Sequence, residues 1–166
     1  MSFTAFGPIY KATAALLPVK LDSPEGKAML MAIAMQESRW DERRQLGGPA
    51  RGFWQFELGG IRGVLTHKAS QPLIHAVLDR LDYDHEAQTS YVAIEHNDVL
   101  AFAYARCLLW TLPMALPGPG QHEAAWAQYI AAWRPGKPYR HTWDRFYAAA
   151  WDIVAPATQP TIGGPT

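Results

Sequence analysis

AMLMAIAMQESRWDERRQLGGPARGFWQFE, residues 28–57, places an apolar run, a charged break, a glycine-rich loop and an aromatic segment in direct succession. Just upstream, Ser23 is a good N-cap and Pro24 suits the first helical position, where a missing N–H loses no partner. From that start Leu30, Ile33, Ala34 and Glu37 fall at i, i+3, i+4 and i+7, so a carboxylate lies in line with the apolar stripe. Met29, Met31 and Met35 fill much of the remaining circumference, which predicts a helix over 24–40 that is buried on most sides. A carboxyl group in that setting is partly desolvated, which disfavours its ionised form and raises its pKa. This is what a general acid needs in order to hold its proton near neutrality. The alternative is structural: Arg39, Arg43 and Arg44 follow within seven residues, and an ion pair at the helix end would depress the pKa instead.

Around this stretch the chain reads as mainly helical. Its 166 residues suffice for one domain with a sizeable core, expected over 1–154. Helices are predicted over 9–17, 71–81, 122–133 and 142–154, and over 89–111 as one helix or as two with a break near His96 and Asn97. Residues 45–57 are expected to be a small irregular or β-like segment, because Gly47, Gly48 and Pro49 force a tight turn. Gly59, Gly60 and Gly63 weaken the next helical pattern, so an irregular piece close to a site is expected there. Residues 155–166 have little to bury and read as a disordered C-terminal tail.

Composition narrows the function classes. Fifteen basic residues balance fifteen acidic ones, which argues against a nucleic-acid binder, although a local basic patch runs from Arg39 to Arg51. Seven Trp, seven Tyr and six Phe supply both core volume and flat surfaces for a concave site. The single Cys107 excludes an intramolecular disulfide; with Leu100, Ala103 and Tyr104 at helical spacing it reads as a buried small hydrophobe. Histidines at 67, 75, 85, 96, 122 and 141 make no i, i+4 pair, so no metal and no cofactor is expected. Asp82, Asp84 and Glu86 lack the spacing and glycine of a calcium loop and read as a solvated acidic turn. Residues 99–117 contain Arg106 and Pro113, which favours a buried helix over a membrane span. The N-terminus lacks a basic start, and Gly7, Pro8 and Lys11 interrupt any apolar region, so no secretory signal is evident.

Glu37-Ser38 at the end of a buried helix, followed eighteen residues after the Glu by Gln55 in Gly52-Phe53-Trp54-Gln55, resembles the first two motifs of the lytic transglycosylases and goose-type lysozymes. Asn97, Ala101 and Tyr104 stand where that family has an Asn, a Gly and a Tyr in a core helix. Ala132, Trp133, Arg134, Pro135 and Gly136 stand where it writes Ala-Tyr-Asn-Ala-Gly. The resemblance implies a compact, mainly α (α+β lysozyme-like) fold. It also implies a monomeric enzyme acting on peptidoglycan glycan strands. Glu37 would be the general acid, with Ser38, Phe53, Trp54, Gln55, Tyr104 and Trp133 binding or shaping the substrate cleft. Without a signal, a protein of this kind is made in the cytoplasm and reaches the wall through a phage holin or inside a virion.

Three departures bear on mechanism. Trp133 replaces a tyrosine that in the family lies close to the acid, Arg134 replaces the Asn, and Leu46 stands where a serine is frequent. Glu57 has two readings: a second carboxylate positioning water, as an Asp does in goose-type lysozymes, or an N-terminal helix acid favoured by the macrodipole. The first implies hydrolysis with the carboxyls about 6.5–9.5 Å apart. Without it, the substrate's N-acetyl group assists and a 1,6-anhydro ring closes. Trp133 and Arg134 also leave open a non-catalytic glycan-binding or phage structural module that keeps the fold.

Overall fold

A helix that is apolar all round can be accommodated only where other elements surround it, and that is where Pro24–Ser38 lies. The structure, a computed structural model, describes residues 6–154. Among these the α-helices are α1 (Phe6–Ala14), α2 (Pro24–Ser38), α3 (Leu58–Thr66), α4 (Gln71–Arg80), α5 (Ala87–Ala93), α6 (Asp98–Trp110), α7 (His122–Trp133) and α8 (Arg140–Val154). The fold is mainly α and forms one compact domain.

Helix α2 begins as its sequence dictates. Ser23 Oγ accepts the Gly26 N–H at 3.1 Å and Pro24 sits in the first turn. It ends at Ser38, not at Trp40, because Arg39 and Trp40 both turn into the left-handed region at φ 56°. Ser38 Oγ fastens that corner, donating to the Ala34 carbonyl at 2.9 Å and accepting the Trp40 N–H at 3.2 Å. Residues 28–34 have no exposed surface, and each large apolar side chain among them contributes about 1.5–3 kcal/mol by leaving water. Helix α8 packs on α2, as does α6, nearly as deeply buried; α1 and α4 cover α6, and α3 packs on α4 and α5.

The stretch over 45–57 contains the only β-like pairing among the described residues, isolated antiparallel bridges from Arg51 to Arg44 and to Phe56. Arg51 and Phe56 exchange both backbone hydrogen bonds at 2.9 Å, making a tight hairpin. Three arginines of the basic patch anchor this hairpin through ion pairs, although Arg39 and Arg44 remain exposed. Arg44 and Arg51 reach Glu95 at 2.7 and 3.2 Å, and Arg43 grips Asp98, with its Nη2 at 2.7 Å, while lying 4.2 Å over the Phe53 ring.

Several boundaries differ from the sequence pattern. Helix α1 already includes Phe6, which is buried against Trp40 and Phe102, and it ends at Ala14. The pattern over 89–111 resolves into α5 and α6, with Asn97 Oδ1 capping α6 through the Leu100 N–H at 3.0 Å. Helix α3 is regular despite its glycines, because Ile61, Val64 and Leu65 are buried on one face and packing overrides propensity. The acidic turn is exposed, and Asp84 accepts the Glu86 N–H and the Thr89 hydroxyl, each at 3.0 Å. Cys107 is buried as a free thiol, and burial pushes its pKa up to about 12. No helix among the described residues is long and apolar enough to cross a membrane, and no His, Cys, Asp or Glu there group into a metal site. The tail expected over 155–166 lies outside the described residues.

Candidate active site

Glu37 occupies the last turn of α2, half-buried, with its carboxyl facing a cleft of about 970 Å³. Burial pushes its pKa up to about 7; a hydrogen bond from Tyr129, which donates its phenol to Oε1 at 2.6 Å, opposes part of that rise. The three arginines that offered a structural role are engaged elsewhere. Arg43 pairs with Asp98, Arg44 pairs with Glu95, and Arg39 lies over the Phe146 ring at 5.5 Å. With no ion pair among the described residues to hold it ionised, Glu37 keeps its proton into the neutral range. Tyr129 is itself buried on α7, and burial followed by the neighbouring carboxyl raises its pKa, so the phenol stays a donor. A donor fixed on Oε1 leaves Oε2 as the oxygen that can carry a proton toward the cleft.

Gln55 reaches the same cleft through the geometry of Gly52. Gly52 has φ 70°, and a Cβ there would stand 2.6 Å from the Ile94 carbonyl oxygen, so only glycine fits. Its N–H donates to the Arg43 carbonyl at 2.7 Å, and the Gln55 N–H returns to the Gly52 carbonyl at 3.0 Å, closing a turn. Gln55 takes φ 48° and folds its amide back, Nε2 donating to the carbonyls of Gly52 at 2.8 Å and Glu42 at 3.3 Å. The amide nitrogen is thereby fixed, and Oε1 has no hydrogen bond from the chain among the described residues.

Opposite stand α7 and the turn after it. Trp133 donates its indole N–H to the Trp54 carbonyl at 2.8 Å and tilts against Phe56 at 5.9 Å, which ties α7 to the hairpin. Arg134 ends α7 in the left-handed region at φ 49° and lines the cleft together with Pro135, Gly136, Lys137 and Tyr139. Glu57 lines it too, exposed at the N-cap position of α3, where its carboxylate makes no capping bond. Gly59 and Gly63, one turn apart on α3, form a further part of the wall, and a Cβ on either would meet no atom within 4 Å.

Of the residues singled out in the sequence, Glu37, Gln55, Glu57 and Trp133 converge on the cleft. Ser38, Phe53, Trp54 and Tyr104 do not: contrary to the substrate contact expected of them, they are buried in the core and absent from the cleft lining. Ser38 spends its hydroxyl on the α2 terminus. Phe53 stacks on Trp40 at 4.5 Å, and Trp54, fully buried, donates to the Leu30 carbonyl at 2.9 Å. Tyr104 is sealed in the core, donates to Ser90 Oγ at 2.7 Å, and has its pKa raised by burial. Leu46 is fully exposed on the loop.

Sequence reasoning missed Tyr129. It lies four residues before Trp133 and so on the same helix face, which was the available signal. The phenol absent at 133 is thus present one turn earlier. Tyr129→Phe removes a bond that favours the ionised carboxyl, so the Glu37 pKa should rise by about one unit. A carboxyl-carbon NMR titration reads this directly, and an unchanged or lower midpoint contradicts the assignment. Comparison of the chain with family models, with curated proteins and with solved structures finds no match in any of the three.

Proposed function

We propose that this protein is a peptidoglycan glycosidase that cleaves the β-1,4 bond between N-acetylmuramic acid and N-acetylglucosamine, with Glu37 as general acid. The observation that carries the reading is a half-buried carboxyl, its pKa pushed up to about 7, facing a cleft and held in no ion pair among the described residues. A carboxyl in that state can protonate the leaving glycosidic oxygen as the bond breaks and then accept a proton in the second half of the reaction. Tyr129 holds one carboxyl oxygen, so the proton is offered from a fixed direction. Gln55 and the Trp133 face provide a polar contact and a flat apolar surface for the sugar rings. The enzyme acts on glycan strands as a monomer, outside the cytoplasm, after release by a holin or carriage in a virion.

Glu57 decides the product. Its side chain has no hydrogen-bond partner among the described residues and lines the same cleft, which supports water activation. Mass spectrometry of digested sacculi separates the outcomes when the wild type is compared with Glu57→Gln. Reducing ends, with a variant slowed about 10²–10⁴-fold, identify hydrolysis. Anhydro-muramyl ends, with a variant as fast as wild type, identify transglycosylation assisted by the N-acetyl group. The rival is a glycan-binding module without turnover, favoured by Trp133, whose N–H is committed to Trp54, and by Arg134 in the place of an Asn. Strand binding without any fragment release would replace the enzyme reading by that one.

A further inference from the structure

The cleft lies at the C-terminal end of α2; a separate cavity of about 560 Å³ opens at its N-terminal end, about 20 Å away along a helix of fifteen residues. Arg106, from α6, forms part of its lining and is only 4 % exposed. Its Nε donates to the Leu21 carbonyl at 2.9 Å, and that is its one hydrogen bond among the described residues. Among the described residues the four N–H donors on its Nη atoms meet no carboxylate within ion-pair distance, although neither nitrogen is sealed from solvent. Buried guanidinium groups are ordinarily paired, so one in the lining of a cavity whose Nη donors have no hydrogen-bond partner among the described residues marks a place for an anion.

The surroundings agree. Gly26 leaves room for the guanidinium, since a Cβ there would stand 3.1 Å from Arg106 Nε. The N-terminal turn of α2 lines the cavity through Ser23 and Glu25, bringing the positive end of the helix to the same space. Lys20 Nζ lies 5.1 Å and Arg106 Cζ 5.8 Å from the centre of the Trp110 ring. The rest of the wall is apolar, with Leu109, Met114 and Leu116. Two cations and one carboxylate, that of Glu25, leave the lining with a single net positive charge. That balance suits a monoanion over a dianion such as phosphate, and the walls suit a ligand with an apolar part.

We propose that this cavity binds a small carboxylate bearing an apolar substituent, the carboxylate on Arg106 and Lys20 and the substituent against Trp110 and Met114. The proposal is independent of the glycosidase reading. Titration of the full chain with N-acetyl-leucine, N-acetyl-leucinamide and inorganic phosphate, followed by NMR of the Trp110 indole and Met114 methyl signals, tests it. N-acetyl-leucine is expected to move these signals saturably, with the amide at least about tenfold weaker. Arg106→Met risks the fold, so the rim residues carry the test: Lys20→Ala should weaken binding and Glu25→Gln should tighten it. Equal binding of acid and amide, tighter binding of phosphate, no saturable shift, or rim variants that leave the affinity unchanged would each overturn the proposal.

Discussion

Glu37→Gln is expected to lower the rate of strand cleavage by about 10²–10⁴-fold and at the same time to stabilise the protein above neutral pH. The second effect follows from linkage. The folded-state pKa of Glu37 is about 7 against 4.5 for the free group, so between these values the native state holds a proton that the unfolded chain has lost. Stability therefore falls as pH rises from about 4.5 to 7 and is flat beyond; the difference corresponds to about 3 kcal/mol. Glutamine keeps the shape and the Tyr129 hydrogen bond without ever ionising. Urea denaturation should find the variant about 3 kcal/mol more stable at pH 8 and within about 0.5 kcal/mol of wild type at pH 4. Equal stabilities at both pH values would show that the carboxyl is not desolvated. Undiminished cleavage would remove it from the chemistry.

Gly52→Ala acts through the backbone and should destabilise the fold by about 3 kcal/mol or more. The left-handed conformation at φ 70° disfavours any side chain by about 1–2 kcal/mol. The added Cβ would also stand 2.6 Å from the Ile94 carbonyl oxygen, which belongs to a neighbouring chain segment and cannot swing aside as a flexible side chain can. The turn must open, and with it goes the Gly52 carbonyl that holds the Gln55 amide. A fall in the urea midpoint with an unchanged m-value is the expected readout. A variant within 0.5 kcal/mol of wild type, on the order of an ordinary surface substitution, would mean that the hairpin relaxes freely.

Helix α2 and the place of Glu37 on it were legible because everything that defines them is local: the Ser23-Pro24 start, the methionine-filled circumference and the apolar stripe. The charges around them were not. The partners of Arg43 and Arg44 lie 55 and 51 residues further along the chain, and no local pattern shows that Asp98 and Glu95 divert them from Glu37. The motif turn misled for another reason. In Gly52-Phe53-Trp54-Gln55 the direction of each side chain follows from dihedrals, with Gly52 and Gln55 both at positive φ, so two aromatics turn inward and the glutamine alone turns to the cleft. Tyr104 went astray because a position within a fully buried helix does not say which neighbour its hydroxyl will find. Tyr129 needed the tertiary fold to bring α7 against α2.

The bare wall of α3 has a consequence for how this protein can change. Alanine at Gly59 or Gly63 would strike no atom and would raise helix propensity by about 0.5–1 kcal/mol at each position. The chain thus remains less stable than its own backbone allows, at two positions that line the cleft. Selection for heat resistance alone would fill both sites at once; selection that also demands an unobstructed groove would keep them empty, so their fate in a directed-evolution experiment separates the two pressures.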